Sequence, residues 1–137
     1  MILDWGAGKG GTARWLEDIL PCAVHTWDPY WPEGGTPGYS SQTWDWIYSA
    51  DVFEHILSHE IDTNIAQLAK IAHAQTHIID LTPARKQLPD GRNAHVSLLE
   101  PDEWIAHFGK HNTIQQHYVY EEPDKRFGTR NRLVIHI

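Results

Sequence analysis

The chain has 137 residues, a formal net charge of −7 and a pI of about 5.7. This length predicts a single domain over residues 1–137 and leaves no room for a separate substrate domain. An acidic surface repels phosphate backbones, so nonspecific nucleic-acid binding is not expected. The single cysteine, Cys22, excludes an intramolecular disulfide, and no apolar run reaches the length of about 18 residues that a membrane helix needs.

The first segment combines a short apolar strand with a glycine-rich loop. Asp4 lies near the end of this strand, and the loop continues as Gly6-Ala7-Gly8-Lys9-Gly10-Gly11. Glycines let the backbone approach a ligand, and a helix N-terminus offers free N–H groups and a positive dipole end. The loop fits G-x-G-x-x-G, the dinucleotide pattern, and also acid-x-Gly-x-Gly-x-Gly, counted from Asp4. A plain tight turn is the alternative.

A helix over residues 11–20 follows, in which Trp15, Leu16, Ile19 and Leu20 recur at helical spacing before Pro21. The next strand, 23–28, ends on Asp28, which lies 24 positions after Asp4. In doubly wound folds a carboxylate at this place accepts hydrogen bonds from two ribose hydroxyls. The sequence therefore predicts a nucleoside site between these two acids, with a solvated turn acid as the alternative for Asp28.

The rest of the chain alternates strands and helices. We predict a proline- and glycine-rich loop at 29–42, strands at 44–50 and 76–81, a helix at 58–73 with Ser58 as N-cap, a long loop at 82–97, a helix at 101–109, and strands at 113–121 and 130–137. This order predicts an α/β fold with a mostly parallel sheet of about six strands. The last two strands are close enough to form an antiparallel hairpin.

Several segments carry a resemblance to a known family. Residues 44–56, with Asp51-Val52-Phe53-Glu54-His55-Ile56 at their end, look like the F-D-x-V…D-V-L-E-H-I stretch of methyltransferases related to the ubiquinone-biosynthesis O-methyltransferases. The glycine loop resembles motif I of class I S-adenosylmethionine (SAM)-dependent methyltransferases. The segment Leu88-Pro89-Asp90-Gly91-Arg92-Asn93-Ala94-His95 is similar to a loop in small methyltransferase-like proteins of bacteriophage genomes.

This resemblance implies a Rossmann-like methyltransferase core with SAM as cofactor. Family members place a further helix and strand between strands two and four, so we expect a trimmed, minimal core here. In the family, the acid at the first strand tip serves the amino group of the ligand. The predicted cofactor-binding residues are Asp4, Gly6, Ala7, Gly8, Gly10, Asp28, Pro29, Tyr30, Ala50 and Asp51.

The resemblance also implies methylation of an oxygen on a small molecule or a terminal ribose hydroxyl. The candidate catalytic residues are His95, Asp90 and Arg92. A non-catalytic SAM- or nucleotide-binding module, or a subunit that needs a partner, is the alternative. A nicotinamide-binding protein is disfavoured by the C-terminal hairpin. The segment Asp28-Pro29-Tyr30-Trp31 superficially resembles the D-P-P-Y/W signature of methyltransferases that act on amino groups of DNA bases. In that family the signature lies at the tip of the fourth strand, whereas here the segment follows the second, so DNA-base methylation is disfavoured.

Asp51, Glu54 and His55 have the i, i+3, i+4 spacing of one helical face, and His95 follows the next strand. Two carboxylates and two imidazoles suit Mg, Mn, Fe or Zn, so we predict a divalent metal site at these four residues. The set resembles the E-x-x-E-H…H metal ligands of the small-RNA 3′-terminal 2′-O-methyltransferases, with Asp51 in place of the first glutamate. The alternative is that Glu54 and His55 only cap the following loop.

The remaining expectations concern partners and location. We expect a small-molecule acceptor, no membrane contact, no nucleic acid except at most a terminus, and an oligomer or protein partner as an open alternative. Lys125, Arg126, Arg130 and Arg132 could form a local basic patch. No charged-then-apolar leader precedes the first strand, so a cytoplasmic location is expected, in a bacterium or in a host cell if the protein is viral.

Overall fold

The computed structural model describes residues 1–31, 35–124 and 128–137. Its strands are β1 (Ile2–Trp5), β2 (Val24–Trp27), β3 (Trp46–Ala50), β4 (Gln75–Asp80), β5 (Gln116–Asp124) and β6 (Gly128–His136). They form one sheet in the order β2-β1-β3-β4-β6-β5. Strands β1 to β4 are parallel, and β6 runs antiparallel to both β4 and β5. The predicted mostly parallel sheet with a C-terminal antiparallel hairpin is confirmed.

Three α-helices connect these strands: α1 (Gly11–Ile19), α2 (Ser58–Ile71) and α3 (Pro101–Gly109). Single turns of 3-10 helix lie at Tyr39–Ser41 and Phe53–His55. A capping box between Glu100 and Glu103 and a proline in the first turn start α3 where the sequence predicts. In the described parts of the chain, none of the helices has both the length and the apolar character needed to cross a membrane.

The core lies between the sheet and helices α2 and α3. Helix α2 buries the stripe Ile61, Ile65, Leu68 and Ile71, because these residues recur at helical spacing. Trp104 and Phe108 of α3 are fully buried, and Phe53 packs edge-on against both rings. Burial of Phe53 fixes the short turn that carries its neighbours Glu54 and His55, and this turn follows directly after β3.

Between β2 and β3 the chain forms no strand or α-helix in its described part, only the 3-10 turn at Tyr39–Ser41. Strand β2 therefore lies at the edge of the sheet. This arrangement confirms the predicted trimming, because β2 and β3 of this chain correspond to strands two and four of the family. The middle of this connection, residues 32–34, lies outside the described residues.

Two local predictions were wrong. Strand β5 starts at Gln116 rather than at residue 113 and extends to Asp124, because its whole length pairs with β6. Ser58 is the first residue of α2 rather than its N-cap, and its hydroxyl lies 3.3 Å from that of Ser97. Helix α1 buries Ala13 and Leu16, whereas Trp15 and Ile19 are 56% and 54% exposed. The α1 face that carries these two side chains therefore stays largely open to solvent.

Candidate active site

The carboxyl ends of the parallel strands open into one cleft of about 970 Å³. Ligands of open α/β sheets bind at this edge. One end of the cleft is lined by the chain that leaves β1 and β2, the middle by residues that follow β3, and the other end by α2 and the long loop after β4. The lining residues include Trp5, Gly6, Trp27, Asp28, Pro29, Tyr30, Asp51, Val52, His55, Ile56, Leu57, His59, Glu60, Lys86, Leu88, Arg92, Ala94 and Val96.

The glycine loop is held against the end of β2 and against the β3 loop. The N–H groups of Gly6 and Ala7 both donate to the carbonyl of Trp27, at 2.8 and 3.0 Å. Gly6 has a φ of +79°, and a Cβ at this position would meet the Val52 side chain at 2.4 Å. Both the backbone conformation and the close approach therefore require glycine at position 6. Gly10, with φ +72°, starts α1 as its N-cap.

Asp28 bridges the glycine loop and the turn after β2. Its Oδ2 accepts from the Gly8 N–H at 2.9 Å, and its Oδ1 accepts from the Tyr30 N–H at 2.8 Å. Each carboxylate oxygen keeps a further lone pair for a ligand. Trp27, which stacks on Trp5 at 5.6 Å, and the 90% exposed Tyr30 supply aromatic surface beside it. Asp28 is therefore fixed in position and still able to accept hydrogen bonds.

Asp4 is a buried carboxylate with an unused oxygen. It is 2% exposed, and its Oδ2 has no hydrogen-bond partner among the described residues. Burial raises the pKa of Asp4 to about 6, an effect that the Ala13 N–H opposes and the nearby Asp28 charge adds to. A buried unpartnered carboxylate oxygen costs free energy. A cationic amino group is a partner that would remove this cost.

Asp51 lies in the cleft, and Arg130 and Arg132, which the sequence did not predict as site residues, pair with Asp51 and with the nearby Asp80. The Arg132 guanidinium binds both oxygens of Asp51, and its Nε donates to Glu122 at 3.0 Å. Arg130 binds the buried Asp80 at the end of β4, with Nε at 2.8 Å from Oδ2. Arg130 and Arg132 are two residues apart, so they lie on the same face of β6, the strand that pairs with β4. This spacing was the sequence signal that the two arginines act together. These pairs show that Arg130 and Arg132 do not form the predicted basic patch; Lys125 and Arg126 lie outside the described residues.

Three of the four predicted metal ligands come together. Glu54, His55 and His95 each offer a ligand atom within 4.8 Å of the others. The His55 and His95 rings meet edge to face at 4.8 Å. Asp51 does not join this group; its carboxylate lies within reach of Glu54 and Asp80 instead. The physical reason is the ion pair with Arg132, which turns the Asp51 carboxylate toward β6.

His55 and His95 each form a hydrogen bond through Nδ1, which leaves Nε2 available to a ligand. His55 Nδ1 lies 2.8 Å from the Ala94 carbonyl, and His95 Nδ1 lies 2.5 Å from the Thr82 carbonyl. A carbonyl only accepts, so each Nδ1 carries the proton and each Nε2 keeps a free lone pair. Metal-ligating histidines make this kind of bond, which orients the ring. Burial lowers the pKa of His95, and this keeps the imidazole neutral.

Glu54 is fully buried, and among the described residues no cationic side chain forms an ion pair with it. Its Oε1 accepts from the Asp80 N–H at 3.2 Å, whereas Oε2 has no partner among the described residues. Burial raises the pKa of Glu54 to about 8, and the charges of Asp51 and Asp80 add to this effect. A divalent cation would supply the missing partner for Oε2. The donor set of one carboxylate and two imidazoles fits Mn, Fe or Zn better than Mg.

The other predicted site residues take peripheral places. Arg92 lines the cleft, but Asp90 does not, and the Arg92 Nε donates to Asp90 Oδ2 at 2.8 Å near the tip of the loop. Ala50 ends β3. Within the described residues, Ala7 makes two backbone hydrogen bonds: its N–H donates to the Trp27 carbonyl, and its carbonyl accepts from the Gly10 N–H. The structure thus places Asp28, His55 and Arg92 in the cleft lining. Several other predicted site residues are not among the described lining residues: Asp4, Gly8, Gly10, Glu54, Asp90 and His95.

No protein-family model matches this sequence, and no curated protein matches it. Solved structures do resemble it in fold. A Thermoplasma acidophilum protein is 12% identical, with a TM-score of 0.68 over 98% of this chain and 76% of that one. The magnesium protoporphyrin IX methyltransferase ChlM of Synechocystis, solved with bound S-adenosylhomocysteine (SAH), is 18% identical, with a TM-score of 0.64 over 99% of this chain and 73% of that one.

A Nostoc punctiforme protein described as a candidate O-methyltransferase has a TM-score of 0.66 at 10% identity, and this chain covers 51% of it. These similarities extend over nearly the whole sheet and its helices. Together with the strand order, the single antiparallel strand β6 and the glycine loop after β1, they establish that the chain has the Rossmann-like fold of the class I SAM-dependent methyltransferases.

Proposed function

We propose that this protein is a SAM-dependent methyltransferase that methylates a hydroxyl oxygen of a small molecule. One observation carries the proposal. A single cleft joins the glycine loop and Asp28 at one end to His55 of the Glu54–His55–His95 group near the other. A methyl donor and an acceptor oxygen must approach to roughly 3–3.5 Å before transfer, so the two sites have to share one cavity.

At the cofactor end, carboxylate oxygens would accept hydrogen bonds from SAM. Asp28 offers its remaining lone pairs to the ribose hydroxyls, and the unpartnered Oδ2 of Asp4 suits the amino group. Gly6 and Gly8, which carry no side chain, would leave room for the methionine part of the ligand. ChlM, a protein of the same fold, was solved with SAM and with SAH, which supports SAM as the cofactor here.

The acceptor end has groups that would hold and deprotonate a hydroxyl. Glu54, His55 and His95 would hold a divalent metal. The lone pairs left for it are those of Glu54 Oε2 and of the Nε2 atoms, because both Nδ1 atoms donate to carbonyls. Such an ion lowers the pKa of a hydroxyl bound to it. Glu54 is fixed by the Asp80 N–H, and each histidine by a backbone carbonyl, so the three groups are positioned before a ligand arrives. Without a metal, the neutral His95 would be the candidate general base.

The test is acceptor-dependent formation of SAH. The protein is incubated with SAM and a panel of hydroxylated small molecules, with manganese, zinc or a chelator present. We expect SAH to form with at least one acceptor, and we expect this SAH formation to be lost in the Asp28→Ala variant. SAH binding without turnover on any acceptor would instead favour a non-catalytic SAM-binding module. Turnover that persists in excess chelator would remove the metal from the proposal but keep His95 as the base.

A further inference from the structure

The long loop after β4 contains a small β-hairpin, residues 86–94, which we call the flap. Gln87 and Asn93 form an antiparallel bridge. The Leu88 N–H donates to the Arg92 carbonyl at 2.8 Å, and the Ala94 N–H donates to the Lys86 carbonyl at 2.9 Å. The Gly91 N–H closes the turn on Leu88 O at 2.9 Å. The flap is therefore an ordered two-stranded element.

The base of the flap is attached to the candidate metal ligands. The Ala94 carbonyl accepts from His55 Nδ1, and His95 follows directly in sequence. Asn93 ties the flap to Ala84 through both its side-chain oxygen, at 3.0 Å, and its nitrogen, at 2.7 Å. The flap is thus fixed beside the place where an acceptor hydroxyl would lie.

One face of the flap forms a wall of the cleft. In an antiparallel pair, residues on one face alternate with residues on the other. The flap residues that line the cleft obey this rule, since Lys86, Leu88, Arg92 and Ala94 line it while Gln87 and Asn93 do not. Lys86 lies opposite Ala94, and Arg92 opposite Leu88. Lys86 and Arg92 are therefore diagonal neighbours, roughly 7–8 Å apart at their backbones, so their long side chains can reach one group.

The charged flap side chains that line the cleft, Lys86 and Arg92, are both cationic, although the protein has a net charge of −7. Among the described residues Lys86 has no carboxylate partner, whereas Arg92 is paired with Asp90 through one carboxylate oxygen. Glu60 on the α2 wall is the acid that lines this end of the cleft, because Asp51 is neutralised by Arg132 and Asp28 lies at the cofactor end. Leu57, Leu88 and Val96 supply apolar surface around these charges.

We propose that the acceptor is a small hydroxylated compound with an apolar body and an anionic group, a carboxylate or a phosphate monoester, that Lys86 and Arg92 hold. This inference rests on the proposed function and names its substrate class. The apolar body would lie against Leu88 and Val96, and the hydroxyl would point to the His55 side of the flap. The anionic group then fixes which hydroxyl reaches the methyl donor.

The test compares three catechols that share a body and differ in charge: the anion 3,4-dihydroxyphenylacetate, neutral 4-methylcatechol and the cation dopamine. Each is titrated calorimetrically into protein already loaded with SAH. We expect the anion to bind about three- to tenfold tighter than the neutral compound, and the cation more weakly than both, because one or two exposed ion pairs contribute a factor of this size. Benzoate and phenyl phosphate, added as competitors, distinguish a carboxylate from a phosphate site.

In Lys86→Met the advantage of the anion over the neutral compound should be lost, and in Lys70→Met, which removes an exposed lysine at the end of α2, it should persist. An advantage that survives Lys86→Met, equal or tighter dopamine binding, no binding of the anion, or no competition by either acid would overturn the inference. Tighter binding of a single-stranded oligoribonucleotide than of the small acid would overturn it as well. Failure of SAH to bind in the first step would overturn the proposed function itself.

Discussion

Arg132 in β6 binds the carboxylate of Asp51 at the end of β3, across 81 positions of sequence. Asp51 is the non-glycine residue with a positive φ, +57°, in the described chain. Such a conformation costs free energy and persists only where its surroundings enforce it. Arg132 is 7% exposed and also bonds to Glu122, so it is itself held in place. The turn that leads from β3 into the cleft therefore depends on the C-terminal hairpin.

Replacing Arg132 by methionine should loosen this turn. We expect the free energy of unfolding to fall by about 1–2 kcal/mol, since the carboxylates left behind are partly solvated. SAH affinity should fall as well, because Asp51 lines the cleft. Denaturant unfolding and calorimetry measure the two effects. Lys70→Met serves as the control for loss of a positive charge, and unchanged stability and affinity in Arg132→Met would show that Asp51 does not need this partner.

Asp4 should lower the stability of the ligand-free protein at neutral pH. Its folded pKa of about 6 lies above the ordinary value of 3.8, so the folded state binds this proton more tightly than the unfolded chain does. The cost of burying the charge is absent below pH 4 and is fully present above pH 6. Asp4→Asn should therefore raise the free energy of unfolding at pH 7.5 by about 1–3 kcal/mol while weakening SAH binding.

Urea unfolding of wild type and Asp4→Asn at several pH values checks this prediction. The stability difference should shrink as the pH falls from about 6 toward 4, where wild-type Asp4 is protonated. A variant that is less stable than wild type at pH 7.5 would show that the Asp4 carboxylate has a stabilising partner after all.

Gly6→Ala should disturb the junction of the β1 and β3 loops. The new Cβ would meet Val52 at 2.4 Å, and the φ of +79° disfavours any side chain. We expect the free energy of unfolding to fall by about 2–3 kcal/mol. SAH binding should be lost as well. Gly109→Ala is the matched control, since nothing lies within 4 Å of its added Cβ. In the double variant with Val52→Ala, only part of the loss should return, because the strain at φ remains.

The metal group makes a prediction that needs no activity. After incubation with manganese or zinc and desalting, the protein should carry one ion per chain, and the ion should raise its thermal midpoint. His55→Ala and His95→Ala should each weaken metal affinity by about tenfold or more and leave SAH binding largely intact. His73→Ala, at an exposed position after α2, should retain the ion. Equal metal content in wild type and His95→Ala would contradict the site.

The sequence predicted what depends on local patterns. The strand–glycine loop–helix start, the order of elements and the closing hairpin follow from short-range spacing, and each is confirmed. The exposure of Trp15 and Ile19 on α1 could not be predicted in this way, because spacing identifies an apolar face but not whether another element covers it.

The site was predicted less completely, because its geometry depends on contacts between distant residues. The spacing of Asp51, Glu54 and His55 assumed one helical turn, but the 3-10 turn covers only Phe53–His55, and Asp51 precedes it in a left-handed conformation. Its carboxylate is bound by Arg132. The two-residue spacing of Arg130 and Arg132 indicates that they share a face of β6, but nothing in the sequence shows that this face meets Asp51. The cofactor assignments at Asp4 and Asp28 and the metal assignments remain predictions.

Calorimetric titration with SAH, with NAD as the comparison ligand, measures whether the cleft is a SAM site. We expect one SAH molecule to bind per chain, and no comparable binding of NAD. Asp28→Ala should weaken SAH binding by an amount on the order of 2–3 kcal/mol, through loss of a charge-assisted bidentate contact, and Asp28→Asn should lose less, because it keeps one acceptor oxygen. No measurable heat with SAH, or equal affinity of wild type and Asp28→Ala, would contradict the account.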